Sequence, residues 1–193
     1  ILSNLSGGET HTLAAVMDHT CTAMGGRMLR RWLGNPVRHR ATLEQRLFVV
    51  ESILQQRLHD RVRPLLRTIG DMERILSRVA LRSARPRDLA RLRDSLNTLP
   101  ELQQTLAEDQ TESLKLLAQQ ISTFPDISDL LQRAVIENPP MIIRDGGVIA
   151  TGYDAELDEL RSIRENAGEL LQNLELRERE RTGIATLKVG YNR

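Results

Sequence analysis

Residues 70–92, GDMERILSRVALRSARPRDLARL, hold the end of one amphipathic helix and the start of another within a few positions. Leu76, Val79 and Ala80 keep the three-and-four spacing that lays one apolar stripe along a helix. Ser83, Ala84 and Arg85 lead into Pro86, whose fixed φ and missing N–H suit the first turn of a new helix and hinder continuation of the old one. Asp88 follows in that first turn, where the helix dipole favours an anion. The stretch specifies a helix, a corner and a second helix, with Leu76 expected on the core face.

Upstream of the corner, Thr22 is placed to cap a helix with apolar positions Met24, Met28, Leu29 and Trp32, and a short helix over 13–17 precedes it. Gly25-Gly26 inside the capped helix costs about 1 kcal/mol per glycine against alanine, which points to close backbone packing there. Asn35-Pro36 ends that element, Thr42 opens a helix through Leu43, Leu47, Val50, Ile53 and Leu54, and Pro64 starts or kinks the next. The chain opens on Ile1, so it is expected to enter partway into a longer fold.

Downstream, Pro100 is expected to divide the second helix of the corner from 102–106, and 107–111 reads as a polar loop. Helices follow over 114–121 and 127–136, then Asn138-Pro139-Pro140 breaks the pattern. Residues 141–153, with Gly146, Gly147 and Gly152, read as a loop with a short hairpin. Asp154 opens what should be the longest uninterrupted helix, reaching about Arg181, with Leu157, Leu160, Ile163, Ala167, Leu170 and Leu174 in near-heptad spacing. Residues 187–191 alternate like a strand.

The corner residues also carry a resemblance. Asp71-Met72-Glu73-Arg74, Arg78 and Arg85-Pro86-Arg87-Asp88-Leu89 resemble the central region of the MutS family of DNA mismatch repair proteins. Three further blocks resemble it in the same order: TAMGGRMLRRWLGNP at 22–36, RDGGVIATGYDAELDEL at 144–160 and RERERTGIATLKVGYN at 177–192. Together the blocks span nearly the whole chain, and several in order are far more specific than one short motif.

Composition agrees with a helical fold. The 193 residues hold only 3% aromatics, and a Leu- and Arg-rich chain packs helix on helix more readily than it fills a sheet core. Cys21 stands alone, so no disulfide forms within the chain. No apolar run approaches the roughly 20 residues of a membrane helix, and a cytoplasmic protein with no membrane partner is expected. Net charge is +1, yet residues 27–93 hold 17 arginines against 6 acids while residues 94–193 carry a net −8. Such asymmetry fits either a nucleic-acid grip or arginines facing acids elsewhere in the fold.

No catalytic constellation emerges. His11, His19, His39 and His59 lack the spacings that gather metal ligands, and His19 with Cys21 is the only close pair. Gly146-Gly147 beside Arg144 and Asp145 lacks the pattern and the lysine of a phosphate-binding loop. Acidic pairs such as Asp158-Glu159 fall on a charged helix face.

The resemblance implies an all-α fold: a multi-helix core or lever base at 1–153, a long protruding lever helix at 154–182, and at 183–193 a short terminal β-strand that begins the clamp. It further implies a piece of a protein that binds mismatched double-stranded DNA under ATP control, acts as a homodimer and engages downstream repair factors. ATP and Mg would be bound by a domain outside this chain, which itself is expected to be no enzyme and to hold no cofactor. Lys188, Asn192 and Arg193 would contact DNA phosphates. The residues alone also allow a helical interaction or dimerisation module built on the 154–181 stripe, or a weak, non-specific nucleic-acid-binding module.

Overall fold

Apolar residues at helical spacing fold, in the computed structural model, into α1 (Leu13–Met17), α2 (Ala23–Gly34), α3 (Arg40–Gln55), α4 (Leu58–Thr68), α5 (Met72–Ala80), α6 (Pro86–Ala107), α7 (Glu112–Gln119), α8 (Pro125–Ala134), α9 (Ala155–Glu165) and α10 (Ala167–Thr182). The structure describes residues 1–109 and 111–190, with the backbone but not the side chain of Leu170. The fold is all-α. Two compact units divide it, Ile1–Val148 and Ile149–Arg193.

In the first unit α6 is the axis, because α4, α5, α7 and α8 all pack on it. Leu92, Leu96, Leu99, Leu102 and Leu106 are buried along its length. Pro100 does not divide the helix as its missing N–H suggests. It lies on the exposed face, while buried leucines on either side of it hold both halves to one core. Pro64 likewise sits inside α4, whose start is set earlier by Arg57 in the left-handed region at φ 51°.

The corner forms as expected, but its core face is different. Ile75 is 2% exposed, whereas Leu76 is 54% and Val79 42% exposed. Met72, Ile75 and Arg78 make the inward row, with Ile75 buried and the other two half-buried, so the third member of that row is an arginine. Counting only apolar residues therefore selects the wrong side of α5. Gly70 is required just before it: a Cβ there would meet Arg91 Cγ at 2.6 Å, and its N–H donates to the buried Ser95 Oγ at 2.8 Å. Two polar groups are thereby satisfied where the chain lies close against α6.

Arg93 fixes the far side of the unit. Only 5% exposed, it donates to the carbonyls of Val135, Ile136 and Glu137, each at 3.1 Å. These carbonyls follow the last turn of α8, where the helix dipole attracts a cation. The loop beyond contains a 3-10 turn at Ile143–Asp145 and a backbone bond from Ile136 N–H to Val148 at 3.1 Å.

In the second unit Asp154 caps α9 by accepting from Leu157 N–H at 2.9 Å, and Asp158 accepts from Gly152 N–H at 2.6 Å. The expected uninterrupted helix is broken at Asn166. Asn166 donates from its backbone N–H to Ser162 O and from its side chain to Ser162 Oγ, and Gly168 follows closely. Weak helix formers at both positions explain why the ladder gives way there. Gly183 at φ 69° ends α10. Residues 187–190 form no strand pairing, so the expected terminal strand is not shown; residues 191–193 lie outside the described residues. The segment instead turns back on α10, where its backbone groups find side-chain partners.

Candidate nucleic-acid interface

The charged residues of the matched blocks meet at the corner. Asp71 caps α5 by accepting from Arg74 N–H at 3.3 Å, and it receives both Arg27 NH groups at 2.7 Å. Arg27 continues to Glu73 at 2.6 Å. A guanidinium on α2 thus bridges the two carboxylates that open α5. Arg27 hydrogen bonding holds the Asp71 carboxyl below the ordinary aspartate range; partial burial opposes this and the Arg74 N–H assists it. The same pair pushes the Arg27 pKa further up, Asp71 contributing more than Glu73.

At the other end of α5, Arg78 forms a bidentate pair with Asp88 at 2.8 and 2.6 Å. Asp88 also accepts from Arg85 N–H at 2.9 Å, so one carboxylate caps α6 and ties it to α5. The Arg78 bond lowers the Asp88 pKa, burial resists, and the Arg85 N–H lowers it again.

Other arginines of the basic half are engaged in the same way. Arg30 meets Glu9 at 3.1 Å, Arg61 pairs with Glu108, and Arg63 donates to His19 O at 3.2 Å. Arg87 donates to Pro139 O at 3.3 Å. Arg27 and Arg78 thus pair with acids of the same stretch, while Arg30, Arg61 and Arg93 meet acids outside it, so the pairs among the described residues take up only part of the +11. What sequence reasoning missed is the pairing itself, although the signal was present: Asp71, Glu73 and Asp88 stand within arginine-rich blocks.

Of the three candidate phosphate contacts, Lys188 is exposed, and Asn192 and Arg193 lie outside the described residues. The backbone on either side of Lys188 is held: Leu187 O accepts from Arg179 Nε at 2.8 Å, and Val189 N–H donates to Glu175 Oε2 at 3.3 Å. Glu175 and Arg179 are themselves paired one helical turn apart. Among the described residues no group of three or more His, Cys, Asp or Glu is placed to hold a metal ion, and no helix is long and apolar enough to cross a membrane.

A helical core arranged round one axis, with the α5–α6 corner locked by arginine–carboxylate pairs, defines an all-α fold. The family follows from comparison with known proteins: the model of MutS domain III matches residues 1–183. The chain belongs to the MutS family of mismatch repair proteins.

Proposed function

We propose that this chain serves a MutS-type protein as the core and lever that couple its grip on mismatched DNA to an ATPase elsewhere in the longer molecule. The match over residues 1–183 carries the reading. In it, 1–153 is the lever base, 154–182 the lever and 183–193 the first edge of the clamp. Lys188, Asn192 and Arg193 contact phosphates, ATP and Mg bind outside the chain, and the partners are mismatched duplex, a second copy and downstream repair factors in the cytoplasm. The exposure of Lys188 and the side-chain strap around it support a phosphate contact at this position.

Two measurements test it. In the full-length protein that carries this chain, Lys188→Glu should weaken duplex binding and reduce its salt slope by about one. Leu171→Pro, which interrupts α10, should abolish stimulation of ATP hydrolysis by mismatched duplex while basal hydrolysis persists. Retained stimulation would rule out the lever role. The 193-residue chain alone should neither hydrolyse ATP nor prefer a mismatched over a matched duplex; either activity would overturn the assignment.

A further inference from the structure

Helix α3 carries two apolar faces side by side. Val49 and Ile53 pack against the core. Leu43, Leu47, Val50 and Leu54 are turned outward, between 41% and 68% exposed. Their spacing of four, three and four is that of a heptad seam, with Leu43 and Val50 at d and Leu47 and Leu54 at a. The seam opens beside a groove walled by Trp32, Val49, Leu116 and Leu117. Because α3 is already folded on its core side, pairing along the seam carries none of the nucleation penalty of an isolated short helix.

The charges flanking the seam select its occupant. In this register Glu44 and Glu51 take e positions and Arg46 takes a g position. Arg46 lies over the Trp32 ring, 3.7 Å from its centroid, which holds the guanidinium at the edge of the seam. In a parallel pair of α3 helices each g residue faces the e residue five positions on, so Arg46 of each copy meets Glu51 of the other. An antiparallel pair sets e against e, placing Glu44 opposite Glu51, and like charges there are unfavourable. Glu44 and Glu51 are engaged along their own helix, with Arg40 at 2.7 Å and Gln55 at 3.3 Å, contacts that an incoming arginine displaces readily because they are exposed.

We propose that α3 is a self-association surface on which a second copy of this chain docks its own α3, parallel and in register. This surface is built from residues other than those of the 154–181 stripe and other than Lys188.

Sedimentation of the 193-residue chain from micromolar to millimolar concentration tests the proposal, with circular dichroism and denaturant midpoints confirming that each variant is folded. The parent should form a concentration-dependent dimer. Leu47→Glu with Val50→Glu should weaken it by about a hundredfold or more, the loss expected when two large apolar anchors are removed. Arg46→Glu and Glu51→Arg should each weaken the dimer when alone, since each sets like charges against each other. Mixing these two variants should restore association as a heterodimer, because the exchanged charges then face each other. A monomer at all concentrations, a dimer that survives the Leu47 and Val50 changes, or a mixture that fails to associate would each overturn it.

Discussion

Helix α6 and the α9–α10 stretch both carry apolar residues at helical spacing, yet ten residues of α6 are buried and none of the described side chains of α9 or α10 is. Leu160, Ile163 and Leu176 are 58%, 46% and 57% exposed. The difference lies in neighbours. Four helices pack on α6, whereas within their own unit α9 and α10 have one helix each to pack on. Periodicity therefore identifies a face that can be buried, and only the rest of the fold decides whether it is.

The largest effects should separate these regions. Leu114→Ala, at a fully buried position against α6, and Ile75→Ala should each lower stability by about 2 to 5 kcal/mol, while Leu160→Ala should stay within about 0.5 kcal/mol of the parent. Denaturant midpoints read the contrast, and equal losses in the two regions would break it. Leu76→Ala belongs with the small effects, since that side chain points to solvent.

Gly70→Ala comes next, at about 1 to 3 kcal/mol, because the added carbon collides with Arg91 near its backbone and crowds the bond to Ser95. Asp88→Ala should cost about 1 to 2 kcal/mol through loss of the α6 cap. Restoring only the shape with Asp88→Asn should recover part of the midpoint, as asparagine still caps but no longer neutralises Arg78.

Acid should act on the same unit. The folded pKa values of Asp71 and Asp88 are lowered, so their contribution is complete above the ordinary value of 3.8 and is lost as pH falls through the folded values. Acid titration of helicity should show the parent losing stability in that range and Asp88→Ala losing less. A parallel decline in both would remove the corner pairs as the cause. The smallest effect is reserved for the second unit: Ile163→Glu with Leu176→Glu should leave the thermal midpoint of the first unit unchanged. A lowered midpoint would mean that the α9–α10 face is needed by the core.

Much of the helix order was legible because capping and breaking residues act locally. Thr22 accepts from Gly25 N–H, Asp154 caps α9 and Pro86 opens α6, each at the position its chemistry favours. The misreadings arose where tertiary contacts outweighed local preference. Pro100 is carried through α6 by buried leucines on both sides, and Arg78 takes an inward position because Asp88 waits there. Asn166 shows the reverse: no buried neighbour compensates its weak propensity, and the helix breaks. Of the candidate site, residue types near 188 were readable from the sequence, but the strap from Glu175 and Arg179 depends on how the chain turns after Gly183.

The clasp of Arg93 on three successive carbonyls has a consequence for how the molecule opens. Peeling residues 135–137 away would take three acceptors from the buried Arg93 and leave it only Asp94, so this irregular segment should not fray by itself as surface loops do. Its release is tied to release of α6, and the two should behave as one cooperative unit. Amide hydrogens that are bonded near that clasp, such as Ile136 N–H, should exchange on the slow timescale of the central helix, marking a stretch without regular structure as part of the last region to unfold.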